Sequence, residues 1–427
     1  MTLLQRLQHA DYQGPAILAL TPVSYKQLIN NALQLRQQYP QLQQHAVALT
    51  FSELDSFITA LLAFDGWCRA LYLMPDNLAD LPSAAIRWPL AQTLPALSPQ
   101  RHTEPSLWYL ATSGTTGTPK WIGHQAGNLS RKVKATAYSS TLRWALCYQP
   151  VRFAGMQVLL QSLLSGAAIC DCSNGDMNYR ISQMQRYNVN AVSATPSLWR
   201  QLLMTGQLNT LSLEQLTLGG EIADQPLLDT LSAMFPQAKL LHIYASTEAG
   251  VGFAVADKQA GFPASWLETS QNGLSFKLDA QQHLWLKPPC EPDSSLASRL
   301  DSEGFLNTED VVMIQDDRVH FLGRASGVIN VGGNKVHPEQ VEQVLLQYPG
   351  VQQAKVYAKA SSVLGQLVIA DIVTDSTDTT TLQAALLQHC VQHLQRYQIP
   401  VKLNFVSSLV TNETGKLSRR PDAQGAS

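Results

Sequence analysis

Short apolar runs alternate with longer amphipathic stretches over much of the chain. The β-like runs cover residues 108–111, 191–194, 215–218 and 240–244. Helical spacing of apolar residues occurs between such runs, for example over residues 227–235. Alternation of short strands with helices is typical of a layered α/β body. The pattern therefore predicts an α/β fold that extends to about residue 322.

The pattern changes near residues 323–327, which read Gly-Arg-Ala-Ser-Gly. An amphipathic stretch then opens near Pro338, two β-like runs follow over residues 354–358 and 366–372, and a helix is predicted over about 382–394. These elements suit a small α+β domain. We therefore predict a large domain over residues 1–323 and a small one over residues 324–427.

Composition narrows the possible functions. The 427 residues are 45% hydrophobic and 15% charged, which is a globular composition and not that of a disordered chain. Lys and Arg number 30 against 32 Asp and Glu, so the net charge is −2. No basic field indicates a nucleic-acid or anionic-membrane partner. The near-zero net charge therefore favours a function on a neutral partner or a small molecule.

Neither export nor membrane insertion is predicted. The first residues lack the basic, apolar and small-residue regions of a secretory signal, so we expect a cytoplasmic protein. The most apolar stretches, near residues 58–74 and 158–170, are interrupted by polar side chains and fall short of the roughly 20 apolar residues of a membrane span. The six cysteines include no C-x-x-C pair, which favours reduced structural thiols over a metal site.

The strongest chemical signal directly follows the β-like residues 108–111. It reads Ser113, Gly114, Thr115, Thr116, Gly117, Thr118, Pro119 and Lys120. Glycines let backbone N–H groups approach an anion, hydroxyls donate hydrogen bonds without bulk, and the lysine adds a positive charge, so such a loop can wrap a polyphosphate. It is not a Walker A loop, because that spacing is absent. An ordinary surface turn is the alternative that composition alone leaves open.

Further motifs follow in order. They are Leu-Gly-Gly-Glu at 218–221, Ile-Tyr-Ala-Ser-Thr-Glu at 243–248, Gly-Phe-Leu-Asn-Thr-Glu-Asp at 304–310, Phe-Leu-Gly-Arg at 321–324, Val-Gly-Gly-Asn-Lys-Val-His-Pro-Glu at 331–339 and Thr-Gly-Lys-Leu-Ser-Arg-Arg at 414–420. With the phosphate loop, this series resembles the ANL superfamily: AMP-forming acyl-CoA synthetases, nonribosomal peptide adenylation domains and firefly-type luciferases. The resemblance covers about residues 106–420. It implies a large N-terminal domain, here with a shortened N-terminal subdomain, and a small mobile C-terminal domain.

The resemblance also implies a nucleotide site. The loop from Ser113 to Lys120 would hold the β- and γ-phosphates of ATP, and Tyr244 would stack on adenine. Thr247 would touch the α-phosphate, and Glu248 would bind Mg²⁺. Asp310 matches the aspartate that accepts from the ribose hydroxyls. Where the family often has glycine before this aspartate, the chain has Glu309.

The sequence defines the acyl pocket less specifically than the nucleotide site. Gly220 and Glu221 would line the nucleotide and acyl slots. The resemblance assigns the acyl pocket to Arg152, Phe153, Gly219 and Ala245. Arg152 stands where the family commonly has histidine, and it would pair either with a polar or anionic group of the substrate or with the protein wall. No amino-acid-selecting aspartate is identifiable nearby, which disfavours an amino acid substrate.

The remaining roles lie at and beyond the predicted boundary. Arg324 resembles the arginine that contacts ribose or phosphate at the domain junction. Ser326 stands at the family's hinge position, where Asp or Lys is usual, and backbone torsion at Ser-Gly would still allow rotation. Lys416 matches the lysine that bridges the attacking carboxylate and the α-phosphate. Gly332 and Gly333 would form the wall of a tunnel for the pantetheine thiol.

Together these residues imply an AMP-forming ligase for a small fatty or aryl carboxylic acid. ATP would convert the acid to an acyl-adenylate with release of pyrophosphate, and the acyl group would pass to the thiol of CoA or of a phosphopantetheine carrier protein. A luciferase-like oxygenase or a silent nucleotide-binding relative is the alternative. Serine and zinc hydrolysis are excluded, because the G-x-S-x-G and H-E-x-x-H motifs are missing. The acid, the acceptor and the oligomeric state stay open.

Overall fold

A computed structural model describes residues 1–76, 78, 85–90, 106–112, 120–246, 250–271, 273–287, 300–412 and 415–417. The helices in these ranges are α1 Leu3–Ala10, α2 Tyr25–Gln38, α3 Leu54–Phe64, α4 Ala126–Leu129, α5 Phe153–Ser165, α6 Met177–Arg186, α7 Pro196–Met204, α8 Gln225–Met234, α9 Pro338–Leu346 and α10 Thr379–His393. The fold is mixed α/β, with a large N-terminal and a small C-terminal domain, as the alternating pattern predicts.

The strands form four sheets. In chain order they are β1 Pro15–Leu18, β2 Val23–Ser24, β3 Ala46–Thr50, β4 Ala70–Met74, β5 Ala85–Trp88, β6 Leu107–Ala111, β7 Trp121–Gln125, β8 Arg143–Leu146, β9 Ala168–Asp171, β10 Ala191–Ala194, β11 Gln215–Gly219, β12 Lys239–Ser246, β13 Gly250–Val255, β14 Phe262–Pro263, β15 Ser275–Leu278, β16 His283–Lys287, β17 Leu306–Gln315, β18 Arg318–Arg324, β19 Ile329–Val331, β20 Asn334–Val336, β21 Val351–Ser361, β22 Gly365–Thr374 and β23 Lys402–Phe405. Each run that the sequence predicts as β-like lies within or overlaps one of these strands.

The largest sheet has eight strands in the order β13-β12-β11-β10-β8-β9-β1-β2. Strands β12, β11, β10, β8, β9 and β1 run parallel, and β13 and β2 are antiparallel additions at the edges. Apolar, nearly continuous strands such as β10 suit a sheet that helices cover on both faces. The order of strands reverses between β8 and β10, which makes this point a topological switch point.

A second sheet, β5-β3-β4-β6-β7, carries the ends of the predicted phosphate loop. Strands β6 and β7 pair antiparallel, and the N–H of Thr112 donates to the carbonyl of Lys120 at 2.9 Å. The intervening residues 113–119 lie outside the described ranges. The sequence expectation that the loop directly follows a strand is confirmed.

Two further sheets complete the fold. The antiparallel sheet β14-β18-β17-β16-β15 contains Asp310 and Arg324. The last sheet, β20-β19-β22-β21 with β23 beside β22, follows residue 324 and packs on helices α9 and α10 around its own apolar cluster. The five cysteines that the structure describes are all buried free thiols. Among the described residues, no helix combines the length and apolar character needed to cross a bilayer.

Candidate active site

A cleft of about 1060 Å³ lies where the carboxyl ends of β10, β11 and β12 meet the C-terminal part of the chain. Parallel strands present their carboxyl ends at one edge of a sheet, and ligands of α/β proteins bind outside that edge, near a switch point. Ser197 follows β10, Gly220 follows β11, and Tyr244 lies near the end of β12, and all three line the cleft. The sheet topology therefore brings distant motifs together.

An ion pair across two strands forms one wall. The register of β17 and β18 places Asp310 opposite Arg324, and Arg324 Nε lies 3.2 Å from Asp310 Oδ1. The Tyr244 hydroxyl donates a short hydrogen bond to the other oxygen of Asp310. Arg324 and Tyr244 thus share the carboxylate of Asp310, and the sequence assigns all three residues to the nucleotide.

The Tyr244 ring belongs to a stack of parallel aromatic rings. Its centroid lies 5.2 Å from that of Phe253, its cross-strand neighbour on β13, and 5.1 Å from that of Phe321 on β18. The interplanar angles are 15° and 10°. Flat apolar rings beside a carboxylate form a surface suited to a base and its ribose.

Burial and charge have opposite effects on Asp310. Burial raises the pKa of its carboxyl, while Arg324, the Tyr244 hydroxyl and Lys416 lower it, and burial prevails. Burial and the adjacent Asp310 carboxylate raise the pKa of Tyr244 well above 10, so its hydroxyl stays a donor at neutral pH. The carboxylate is thus held by donors in a partly dehydrated site.

Glu309 adopts the backbone conformation of the glycine that it replaces in the family's motif. Its φ is +62°, in the left-handed region that disfavours residues with a side chain. Its N–H donates to Asn307 Oδ1 at 2.8 Å, and the side chain is exposed. The departure from the motif therefore leaves the local turn in the glycine-type geometry.

Lys416 enters the cleft beside Gly220. A Cβ added at Gly220 would lie 3.1 Å from Lys416 Cε, and Gly220 has a φ of +83°. The positive φ favours glycine at this position, and the lysine side chain passes close to it. Lys416 and Asp310 both line the cleft, and the positive charge of Lys416 opposes the rise in the pKa of the Asp310 carboxyl.

Arg152 reaches the same cleft from the end of β8. It is the residue before α5, its carbonyl accepts from the Met156 N–H at 2.9 Å, and 9% of the residue is exposed. Nearby, Arg200 on α7 is paired with Asp224, with Nη2 2.6 Å from each carboxylate oxygen. The cleft lining thus includes the nearly buried Arg152 as well as the paired Arg200.

The predicted residues divide into three sets. Those lining the cleft are Arg152, Gly220, Glu221, Tyr244, Ala245, Asp310, Arg324, Ser326 and Lys416. Those described but outside its lining are Lys120, Phe153, Gly219, Gly332 and Gly333. Ser113, Gly114, Thr115, Thr116, Gly117, Thr247 and Glu248 lie outside the described residues.

Phe153 packs away from the cleft. Its ring contacts the apolar cluster of the N-terminal sheet and lies 6.4 Å from the His124 ring. The structure adds cleft residues that the motifs did not indicate, among them Pro196, Arg200 and Asp224 near α7 and α8. A threonine before proline at the start of an apolar helix is a recognisable N-cap signal, so Thr195-Pro196 could have been found.

A metal site is not formed by the described residues alone. Within them, no group of three or more His, Cys, Asp or Glu side chains could hold a metal ion. Glu248, the predicted Mg²⁺ ligand, lies outside this part of the chain. The Mg²⁺ site stays a prediction.

Comparison with known proteins identifies the family. Residues 84–272 match the AMP-binding enzyme family, and residues 340–416 match the AMP-binding enzyme C-terminal domain. Together the two matches cover more than half of the chain. The chain belongs to the ANL superfamily of adenylate-forming enzymes. It is an AMP-forming acid–thiol ligase, which uses ATP to convert a carboxylic acid to an acyl-adenylate and then forms a thioester with CoA.

Curated relatives of this ANL enzyme include two 2-succinylbenzoate–CoA ligases. That of Bacillus mycoides (strain KBAB4) is 27% identical over 338 residues, covering 74% of this chain and 69% of the relative. That of Staphylococcus epidermidis is 24% identical over 330 residues, covering 72% and 68%.

Solved structures show the same fold. An anthranilate–CoA ligase in complex with anthranoyl-AMP superposes with a TM-score of 0.77 at 16% identity, covering 98% of this chain and 95% of that one. The Bacillus subtilis o-succinylbenzoate–CoA synthetase, in complex with its acyl-adenylate intermediate, gives a TM-score of 0.70 at 18% identity and coverages of 100% and 98%.

Proposed function

We propose that this ligase activates an aryl acid that carries a second anionic group, with CoA as the acceptor. Arg152 is the observation that carries this proposal. Its nearly buried guanidinium lines the cleft at the position that the sequence assigns to the acyl group. A charge-assisted hydrogen bond from a partly dehydrated arginine to a carboxylate is strong and directional.

The relatives support the same substrate class. Two of them are named 2-succinylbenzoate–CoA ligases, and 2-succinylbenzoate is an aromatic acid with a second carboxylate. In the proposed arrangement one carboxylate attacks ATP, and the other lies toward Arg152. The proposed arrangement adds a substrate class to the ligase assignment and leaves the reaction type unchanged.

The proposed nucleotide site uses the aromatic stack and the shared carboxylate. Adenine would lie beside the stack that contains Tyr244 and Phe321, and Asp310 would accept from the ribose hydroxyls. Lys416 and Lys120 would offset the repulsion between the attacking carboxylate and the phosphates. The predicted Mg²⁺ ligand Glu248 lies outside the described residues, and no step is derived through the ion.

We also propose that the domain boundary lies at residues 323 and 324, with torsion at Ser326 allowing the small domain to rotate. Ser326 lies in the short turn Ala325–Gly327 between β18 and β19 and is exposed, so its backbone can change without repacking a core. A carrier-protein acceptor, the oligomeric state and the cytoplasmic location stay predictions.

The test is pyrophosphate release with a panel of acids. With the native enzyme, 2-succinylbenzoate should be activated more efficiently than benzoate, anthranilate or a fatty acid. Arg152→Met should raise KM for 2-succinylbenzoate about tenfold or more, by loss of a charge-assisted hydrogen bond, and improve activity toward neutral aryl acids. KM for ATP should stay nearly unchanged.

Two results would contradict the substrate proposal. One is a variant that loses thermal stability while its residual activity keeps the same preference among acids, which would assign Arg152 to structure. The other is a native enzyme that prefers a neutral acid. Absence of ATP–pyrophosphate exchange with every acid would instead contradict adenylation itself.

A further inference from the structure

We propose that Thr195 and Glu221 are positioning residues that hold the turn carrying Lys416 in the cleft. We call these two side chains the Lys416 clamp. The proposal rests on the proposed role of Lys416 in acid activation and assigns two side chains that set where the lysine lies.

The first contact is made by Thr195. Its hydroxyl donates a short hydrogen bond to the carbonyl of Gly415, the residue before Lys416. The same oxygen accepts from the Leu198 N–H at 3.1 Å, as the N-cap of α7. Thr195 is 1% exposed, so this contact is protected from competing water.

The second contact is made by Glu221. Its Oε1 accepts from the N–H of Leu417, the residue after Lys416, at 2.8 Å. Its Oε2 accepts from the Ser197 N–H at 2.9 Å. A hydrogen bond to a carboxylate is stronger than one between neutral groups, and both oxygens of Glu221 are used in this way.

The clamp therefore holds the backbone on both sides of Lys416. The turn itself is closed by Asn412, whose N–H donates to the Lys416 carbonyl at 2.7 Å and whose Oδ1 accepts from the Lys416 N–H at 3.1 Å. With the flanking residues fixed to the large domain, the lysine side chain extends from a defined backbone position beside Gly220. Catalytic groups need such positioning to act in the transition state.

The same two side chains also cap α7. Thr195 and Glu221 satisfy backbone N–H groups in the first turn of this helix, which have no partner within it. When the turn leaves, the helix keeps both caps. The clamp can thus release the turn without leaving backbone N–H groups of α7 unsatisfied. This matters because the turn would have to leave and return in each catalytic cycle.

Three other hydrogen bonds that the structure describes between the large domain and the residues after Arg324 are long. The Arg200 Nη1 donates to the Gln352 carbonyl at 3.4 Å, the Gln353 Nε2 to the Ser197 carbonyl at 3.5 Å, and the Gln343 Nε2 to the Phe321 carbonyl at 3.4 Å. Hydrogen bonds of this length are weak. The short contacts of the clamp therefore favour this placement of the small domain more than the others do.

The experiment compares two half-reactions in the full-length enzyme. Thr195→Val removes the hydroxyl with little change in volume. Glu221→Gln keeps the shape of the side chain, but its amide can accept from only one of the two backbone N–H groups. ATP–pyrophosphate exchange should fall about tenfold to a hundredfold in each variant, mainly in kcat. Thioester formation from preformed acyl-adenylate should change less than threefold.

Three companion variants make the result specific. Thr195→Ser keeps the hydroxyl and should restore exchange to near the native rate. Asp176→Ala removes an equivalent N-cap from α6, away from the cleft, and should leave both half-reactions unchanged. Lys416→Ala, measured in parallel, should lose exchange. Amide hydrogen exchange at Leu417 should speed up in Glu221→Gln but not in Asp176→Ala.

The outcomes separate the clamp from the role of Lys416. If Lys416→Ala loses exchange while Thr195→Val and Glu221→Gln keep it, the clamp proposal is overturned and the proposed function stands. If the clamp variants lose both half-reactions equally, or if Thr195→Ser fails to restore exchange, the two residues act through stability and the proposal also fails. If Lys416→Ala keeps native exchange, the role of Lys416 and the clamp fall together.

Discussion

Two turns of the small domain carry residues assigned to different half-reactions, and they lie in different surroundings. The turn of Lys416 is bound to the large domain through Gly415 and Leu417 and lies in the cleft. The turn of Gly332 and Gly333 is exposed and pairs only within the small domain in the contacts the structure describes, with the Gly332 N–H donating to the Leu364 carbonyl at 2.9 Å.

The difference indicates which half-reaction this arrangement serves. A lysine beside the nucleotide site suits attack of the acid on ATP, while a thiol tunnel formed by Gly332 and Gly333 would require that turn to approach the cleft. Both turns belong to one small domain, so one cannot approach without displacing the other. In the proposed mechanism this structure is therefore the arrangement suited to adenylation, and we propose that thioester formation requires rotation of the small domain.

The largest expected effect is that of Lys416→Ala. Loss of one preorganised positive group from a site of developing negative charge should lower the rate of adenylation by about 10²–10³-fold. Thioester formation from preformed acyl-adenylate should persist, because the proposed rotation would take the lysine out of the cleft before that step. Single-turnover assays of each half-reaction measure the two effects separately.

Lys402→Ala is a matched control for this change. Lys402 is an exposed lysine of the small domain on β23, and neither half-reaction should respond to its removal. Equal loss of both half-reactions in Lys416→Ala, with native thermal stability, would contradict the contrast between the two turns.

A bulky residue at Gly333 should have the opposite effect. The position has a φ of +88° and open space where a Cβ would lie, so Gly333→Leu costs the small domain only the strain of a left-handed leucine. In the rotated arrangement that side chain would fill the thiol tunnel. Thioester formation should fall about tenfold or more, and ATP–pyrophosphate exchange should stay close to native.

Gly350→Leu separates strain from obstruction. Gly350 lies in the same domain with the same φ of +88°, and its added Cβ would meet nothing closer than 3.8 Å. Both variants should lose similar thermal stability, but only Gly333→Leu should lose thioester formation. If pyrophosphate exchange falls as far as thioester formation in Gly333→Leu, the two turns do not serve different half-reactions.

Sequence alone predicts most of the fold and the part of the site that motifs encode. Apolar runs such as residues 191–194 predict strands because a buried parallel strand is apolar throughout. Asp310, Arg324 and Lys416 are identified because each stands in a short run whose order is specific to the family. The structure brings all three to one cleft.

The sequence could not predict contacts between residues that lie far apart along the chain, nor the directions in which neighbouring side chains point. Glu221 stands in a recognised motif, yet its hydrogen bond to Leu417 joins residues 196 positions apart. Phe153 follows Arg152 directly, but a helix begins there and directs the two side chains to different surroundings. Such pairings follow from sheet order and helix phase, which no local pattern of residues contains.

The smallest expected effect concerns Asp310, which belongs to neither turn and should serve both half-reactions, because the ribose would stay bound through both. Burial raises the pKa of its carboxyl above the ordinary 3.8, so it takes up a proton at a higher pH than an exposed aspartate would. Protonation removes the acceptor for the ribose hydroxyls, and affinity for ATP should therefore decrease as the pH falls. We expect ATP binding, measured by calorimetry, to weaken as the pH is lowered from 7 to 5.

Asp310→Asn should weaken ATP binding at neutral pH and abolish this acid dependence, since its amide does not titrate. Asp279→Asn is the control: burial raises the pKa of Asp279, but hydrogen bonds from His283, Trp285 and backbone N–H groups outweigh it and lower that pKa to about 2, below the range tested. This variant should keep the native acid dependence. An acid dependence that persists in Asp310→Asn would assign it to another group, and a loss confined to one half-reaction would place Asp310 with one of the two turns.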